Sequence, residues 1–125
     1  MIQLNEIYYC KLCKNLVEAV GAGNGTLVCC GEQMVRLAAN SQDAATEKHV
    51  PVVVEKDGGV EVTVGSVEHP MTEEHYITFI EVITEKSVCR KILKPGEKPT
   101  AFFGIPLAQI KEVREFCNLH MLWKK

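Results

Sequence analysis

The sequence is poor in aromatic residues, in charge of one sign and in long apolar runs, and each shortage excludes a class of protein. Of the 125 residues 46% are hydrophobic but only 6% are aromatic, so a core has to rest mainly on valine, isoleucine and leucine. The formal net charge of −2 lacks the basic excess of a general nucleic-acid binder. No apolar run approaches the ~20 residues that cross a bilayer, and the first residues lack the pattern of a secretory signal. We therefore expect a cytoplasmic protein that binds neither nucleic acid nor membrane.

Histidine is equally scarce, whereas cysteine is plentiful. The chain has four histidines and six cysteines. In a secreted chain of this length an even number of cysteines would suggest disulfides. Without an export signal, the reducing cytosol makes metal binding the better interpretation.

The cysteines divide the chain into two parts. Residues 1–36 contain four of the six cysteines and a glycine-rich stretch at 21–25, and so short a unit needs a metal or a partner chain for stability. Residues 37–46 are small and polar, which predicts a linker. Residues 47–125 then form the second domain.

From residue 51 onward short β-rich runs alternate with turn residues. Asp57-Gly58 between valine-rich runs at 52–54 and 60–64 predicts a hairpin, because its tight turn needs positive φ. Further runs at 76–84, 88–93 and 101–105 predict a mainly β fold, most simply a sandwich. Residues 107–116 stay ambiguous, since three apolar residues fit a helical stripe only loosely.

Four cysteines form the first candidate metal site: Cys10, Cys13, Cys29 and Cys30. Four thiolates close a tetrahedral shell around zinc or iron, and spacing alone does not decide between these metals. Because neighbouring side chains of an extended chain point apart, the backbone has to bend at the adjacent pair. A structural zinc knuckle and two disulfides are the alternatives.

The second candidate site uses every histidine of the chain and one further cysteine: His49, His69, His75, Cys117 and His120. Cys117 and His120 form a CxxH pair, and the spacing of the other histidines indicates a loop around the metal. Five protein ligands favour iron over zinc at this site, because zinc normally takes four. A six-coordinate ion would keep one position open.

Taken together, these residues resemble the desulfoferrodoxin family over nearly the whole chain. The first four cysteines resemble its desulforedoxin-type iron centre. The motifs Glu47-Lys48-His49-Val50-Pro51 and Cys117-Asn118-Leu119-His120, with His69-Pro70 and His75, resemble its catalytic centre. Met121 departs from the glycine of many relatives and is expected to affect the loop that carries Cys117 and His120.

The resemblance implies a small N-terminal desulforedoxin-like metal domain followed by an immunoglobulin-like β-sandwich, in a homodimer. It implies that residues 107–116 are largely extended. It also implies two non-haem iron ions per chain, one bound by four cysteines and one by four equatorial histidines with Cys117 axial.

The implied function is superoxide reductase, which reduces superoxide to hydrogen peroxide by one electron from an external, rubredoxin-like donor. Such a protein takes part in electron transport and in the detoxification of oxidative stress. In this interpretation Lys48 attracts superoxide to the open position, and Glu47 binds the oxidised iron.

Three other functions compete with this one. A non-enzymatic iron electron-transfer protein would use the four-cysteine centre, and its histidine site would be a structural metal site. A mononuclear iron oxygenase normally has two histidines and one carboxylate, and five protein ligands leave too little room for its substrates. A superoxide dismutase would also release dioxygen.

Overall fold

The computed structural model describes residues 1–42 and 49–125. This part of the chain consists of β-strands, turns and one short 3₁₀ segment, with no α-helix, as the mainly β prediction required. It forms two compact units, Met1–Ala38 and Ala39–Lys125. The predicted linker at 37–46 stays a prediction, because residues 43–46 lie outside the described part of the chain.

The first unit has five short strands, β1 (Ile7–Tyr9), β2 (Leu16–Glu18), β3 (Val28–Cys29), β4 (Glu32–Gln33) and β5 (Val35–Leu37). β1 pairs antiparallel with β2 on one side and with β5 on the other, and β3 and β4 form a separate hairpin. The buried side chains of this unit are few: Ile7, Tyr8, Tyr9, Cys10 and Met34. So small a core needs further stabilisation, which a metal supplies.

The second unit contains β6 (Pro51–Lys56), β7 (Gly59–Val64), β8 (Ile77–Thr84), β9 (Val88–Ile92), β10 (Thr100–Phe103), β11 (Ile110–Cys117) and β12 (Met121–Lys124). One sheet has the order β10-β7-β6 and the other β12-β11-β8-β9, all antiparallel. The chain therefore changes sheet after β7, after β9 and after β10. This is the immunoglobulin-like sandwich that the resemblance implied.

Two sequence features explain the strands of this sandwich. The predicted hairpin joins β6 to β7, with Asp57 and Gly58 at φ of 49° and 78°. The valines of β7 then face the core, together with apolar residues of β8 and β11.

Residues 110–117 are extended, and only Leu107–Gln109 form a 3₁₀ turn. The helical alternative for this stretch is excluded.

Strand register brings five strand ends to the candidate site. Pro51, at the start of β6, pairs with Val64 at the end of β7. In the other sheet Cys117, at the end of β11, pairs with Ile77 at the start of β8 and with Met121 at the start of β12. Cys117 is itself one of these ends, and each of the four histidines precedes or follows another.

Within residues 1–42 and 49–125 there is no helix with the length and apolar character that spanning a membrane requires.

Candidate metal centres

The four cysteines of the first unit converge, with all four sulfurs within 4.8 Å of one another. Cys13 Sγ lies 3.5 Å from Cys29 Sγ, and Cys29 Sγ lies 4.0 Å from Cys30 Sγ. Tetrahedral metal–sulfur bonds of about 2.3 Å place sulfur ligands about 3.8 Å apart. The measured separations lie on either side of that value, so the cage fits one iron or zinc ion.

Backbone conformation allows the adjacent cysteines to share this cage. Cys30 has a φ of 54° and Gly31 a φ of 77°, both in the left-handed region. This conformation bends the chain immediately after Cys29, so that both sulfurs reach one point. The bend expected from the sequence is confirmed. The left-handed conformation strains the backbone at Cys30, and metal binding offsets this strain.

The pKa values of these thiols also favour a bound cation. The backbone N–H of Cys13 donates to Cys10 Sγ at 3.5 Å and lowers the pKa of Cys10 to about 7. The crowded sulfurs of Cys13 and Cys29 raise the pKa of Cys30 to about 12. Four thiolates therefore cannot coexist at this spacing near neutral pH unless a positive ion compensates their charge.

The second centre is a closed ring of imidazoles. His49 contacts His69 and His120, each with ring centroids 4.7 Å apart. His75 contacts the same two rings, at 4.7 Å and 5.1 Å. All four contacts are edge to face, with interplanar angles of 63° to 81°. Such a ring directs nitrogen atoms from four sides toward one point.

The distances within this ring match a metal coordination sphere. His49 Nε2 lies 3.0 Å from His69 Nε2 and 3.1 Å from His120 Nδ1. Metal–nitrogen bonds of about 2.1 Å at right angles place neighbouring nitrogens about 3.0 Å apart. Cys117 Sγ lies 3.6 Å from His69 Nε2 and 3.7 Å from His120 Nδ1, and all five ligand atoms lie within 4.8 Å of one another.

Local hydrogen bonds orient two of the histidines. The Nδ1–H of His69 donates to the Pro70 carbonyl at 2.7 Å, which leaves the Nε2 lone pair for the metal. His75 is held by a tight turn, in which its backbone N–H donates to Thr72 Oγ1 at 3.1 Å. These contacts position ligands in the loop between β7 and β8, where strand pairing does not reach.

Burial gives the second centre a closed side and an open side. Cys117 is fully buried and belongs to the apolar core, and His49 and His69 are buried as well. His75 is half-buried and His120 is exposed. A metal held here would have its sulfur ligand in the core and would face solvent near His75 and His120.

Two polar residues around the two centres, Asn15 and Asn118, did not stand out in the sequence, whereas the closeness of Trp123 to His120 predicts either packing near the metal loop or a plain core position. Asn15 Nδ2 donates to Cys29 Sγ at 3.6 Å in the first centre. Asn118 and Trp123 contact the backbone of the segments that carry the second. Asn118 and Trp123 lie within or just after the CxxH motif, which is the one signal that pointed toward them.

Glu47 and Lys48, the predicted catalytic residues, lie outside the described part of the chain. Their roles stay predictions that rest on their position next to His49.

Comparison with known proteins identifies the family. The family model described as desulfoferrodoxin matches residues 41–125, and the model of the desulfoferrodoxin N-terminal domain matches residues 3–37. The chain belongs to the desulfoferrodoxin family. A desulfoferrodoxin from Syntrophotalea carbinolica is 50% identical over 123 residues, which cover 98% of this chain and 97% of that protein.

Two other relatives match the first unit alone and nearly the whole chain, respectively. A desulforedoxin from Megalodesulfovibrio gigas is 47% identical over 36 residues, 29% of this chain and 97% of that protein. The crystal structure of the superoxide reductase from Treponema pallidum has a TM-score of 0.80 and 32% identity, and the match covers 96% of each chain. The prediction of two iron centres, with four cysteines and with four histidines and a cysteine, is confirmed.

Proposed function

We propose that this protein is a superoxide reductase, which adds one electron and two protons to superoxide and releases hydrogen peroxide. The observation that carries the proposal is the ring of four imidazoles with the Cys117 sulfur within 3.7 Å of two of its nitrogens. The fold shared with the Treponema pallidum superoxide reductase supports it.

A ferrous ion bound by these residues supplies the single electron. The residues themselves set the charge of the site. The four imidazoles are neutral as ligands and Cys117 contributes one negative charge, so the set leaves one positive charge of a divalent ion uncompensated. An anionic substrate is therefore favoured over a neutral one.

Burial of Cys117 keeps water from the sulfur, while the exposed edge at His120 admits a small anion and protons. A thiolate inside an apolar core is poorly hydrated, so its negative charge acts on the metal rather than on solvent. Five protein ligands also leave too little room for dioxygen together with a chelating organic substrate. These features favour superoxide reduction over oxygenase chemistry.

Lys48 and Glu47 complete the proposed mechanism. Because Lys48 directly precedes His49 in the sequence, its ammonium group attracts superoxide to the site and holds a water that donates a proton. Glu47 binds the oxidised metal after the product has left, since a carboxylate suits iron(III). Lys48→Ala should slow the reaction with superoxide and flatten its ionic-strength dependence. An unchanged rate at low salt would exclude the steering role.

The proposed reaction also needs partners that return the electron. We assign this role to a rubredoxin-like protein and place the reaction in the cytoplasm, where six cysteines outside any disulfide suit the reducing conditions. The functional unit is a homodimer. Its small four-cysteine domain stabilises the fold and carries electrons or holds the subunits together.

The test is a pulse of superoxide mixed with the reduced protein. We expect oxidation of the histidine-site iron and one hydrogen peroxide per iron, without dioxygen. Release of dioxygen would indicate dismutation instead. A histidine-site metal that does not react, with redox activity confined to the four-cysteine centre, would indicate a non-enzymatic electron-transfer protein.

A further inference from the structure

We propose that Trp123 is a positioning residue of the second metal centre, holding His49 and His120 at the separation that metal binding requires. This inference rests on the metal site of the proposed function, although not on superoxide as the substrate. Trp123 is the single tryptophan of the chain. It lies in β12, three residues beyond His120, and contacts two of the four histidines through different parts of its side chain.

The first contact is with the face of His49. The two rings are stacked, with centroids 4.7 Å apart and an interplanar angle of 14°. Both are buried, with 2% of His49 and 8% of Trp123 exposed. The indole thus covers one face of the imidazole, while the edges of His69 and His120 meet it from other directions. Rotation of His49 away from the ring would break this stack.

The second contact is with the turn that carries His120. The indole Nε1–H of Trp123 donates to the His120 carbonyl at 2.9 Å. The next residue, Met121, has a φ of 69°, which is unfavourable for most residues other than glycine, asparagine and aspartate. The hydrogen bond from Trp123 opposes relaxation of this strained turn and so helps to hold methionine at the position where the ligand loop reverses.

Trp123 suits this role because its own backbone is fixed on both sides. Its Cα pairs with Glu115 of β11. On the opposite edge of β12, Asn40 N–H donates to the Leu122 carbonyl at 2.9 Å, and Lys124 N–H donates to the Asn40 carbonyl at 2.8 Å. The indole is consequently presented from a strand that is hydrogen-bonded along both edges.

Metal binding strengthens the stack. An imidazole that binds a cation takes up part of its positive charge, and the electron-rich face of an indole attracts such a ring. Residues that orient metal ligands typically change metal affinity by about 10- to 100-fold when they are replaced. We expect Trp123 to act in this range, through affinity and ligand geometry rather than through contact with substrate.

The experiment compares two variants with a control. Trp123→Leu removes both contacts, whereas Trp123→Phe retains an aromatic ring and loses only the N–H donor. Phe103→Leu is the control, because Phe103 is 1% exposed, lies in the other sheet and has no contact with an imidazole among the described interactions. Fe²⁺ affinity is measured by competition with a chelator in the absence of oxygen, and thiolate-to-iron absorption of the oxidised protein is recorded in parallel.

We expect Trp123→Leu to lose about 10- to 100-fold in Fe²⁺ affinity at the histidine site and to shift the absorption band. Trp123→Phe should lose about fivefold, the effect of one hydrogen bond. Phe103→Leu should lower the melting temperature without changing affinity or band.

Wild-type affinity in Trp123→Leu, or an equal loss in Phe103→Leu, would overturn the proposal. If Trp123→Leu does not fold, unchanged affinity and absorption in Trp123→Phe would do the same. Failure of the wild-type protein to reduce superoxide would reject the proposed function and leave these affinity ratios to decide the role of Trp123.

Discussion

Asn118 and Tyr76 exchange two hydrogen bonds between the two segments that carry the exposed side of the second centre. The Tyr76 N–H donates to Asn118 Oδ1 at 2.9 Å, and the Asn118 N–H donates to the Tyr76 carbonyl at 3.2 Å. Asn118 Nδ2 also donates to the Glu74 carbonyl at 3.0 Å. The residues on both sides of His75 are thus tied to the turn between Cys117 and His120.

Asn118→Ala should therefore loosen the ligand ring. It removes two side-chain hydrogen bonds, so we expect the free energy of unfolding to fall by about 1–3 kcal/mol. Metal affinity at the histidine site should fall by about tenfold, as is typical of residues that orient ligands. Urea unfolding and chelator competition measure the two effects. The exposed Gln109→Ala serves as control, and equal behaviour of both variants would contradict the role given to Asn118.

Replacement of the sulfur ligand tests the second centre more directly. Cys117→Ser should abolish the thiolate-to-iron absorption and most of the superoxide reduction, because a hydroxyl does not replace a thiolate as a soft, charged ligand. Cys89→Ser is the matched control. Cys89 is the other cysteine of this unit and is packed, half-buried, against the same core. Retention of both properties in Cys117→Ser would refute the assignment of this ligand.

Much of the fold could be predicted because local residue pattern and tertiary structure agree. The valine-rich runs became β6 and β7, and Asp57-Gly58 adopted the turn that its sequence favours. Residues 107–116 were less clear, because their apolar residues fit a helix and a strand alike. Pairing with β8 over Ile110–Cys117 decides between these alternatives, and it is a long-range interaction without a local signal.

The metal ligands could be predicted because the chain has few alternatives to them. Every histidine enters the second centre, and four of six cysteines enter the first. The order of the imidazoles around the ring depends on the packing of the segment before β6 beside β11 and β12. The contacts of Trp123 and Asn118 depend on the same packing. Spacing along the sequence carries no information about it.

Asn15 is expected to tune the first centre. Its side-chain N–H donates to Cys29 Sγ at 3.6 Å, and hydrogen bonds to ligand sulfur stabilise the reduced, more negative state. Asn15→Ala should lower the reduction potential of the four-cysteine iron by about 40 mV, the one-electron equivalent of ~1 kcal/mol. Spectroelectrochemical titration measures this change. The exposed Asn24→Ala should leave the potential unchanged, and a potential unaltered in Asn15→Ala would exclude the tuning role.

Metal uptake by the first centre should release protons. Without metal at pH 7, Cys30 with a pKa of about 12 is protonated, and Cys10 with a pKa of about 7 is half protonated. Cys29 is protonated as well, because its contact with Cys13 raises its pKa above the usual value. Binding requires these thiolates, so at least about 2.5 protons leave Cys10, Cys29 and Cys30, and affinity rises with pH. Between pH 6.5 and 7.5 the gain should be at least about 300-fold.

Competition with a chelator at several pH values measures this slope. Cys30→Ser removes one of the two thiols with a raised pKa and should make the gain about tenfold smaller. Affinity that does not change with pH in the wild-type protein would show that the four sulfurs are already ionised before the metal binds.

Glu81 provides a test of the sandwich that leaves the metal ligands untouched. It is fully buried in β8 and lies directly across from Arg90 of β9 and Arg114 of β11, with salt bridges of 2.7 Å and 2.5 Å. Glu81→Ala would leave the buried Arg114 without its main counter-charge, so we expect a loss of about 3–5 kcal/mol in the free energy of unfolding.

The matched control is Glu61→Ala in β7, where a carboxylate pairs with Lys56 at 3.3 Å on an exposed surface. Solvent screens that pair, and its loss should cost less than about 1 kcal/mol. Urea unfolding of the two variants compares a buried with an exposed ion pair in one sandwich. Similar losses in both would mean that the Arg90–Glu81–Arg114 row does not hold β8, β9 and β11 together, and the strand ends beneath the second metal centre would then depend on backbone pairing and apolar packing.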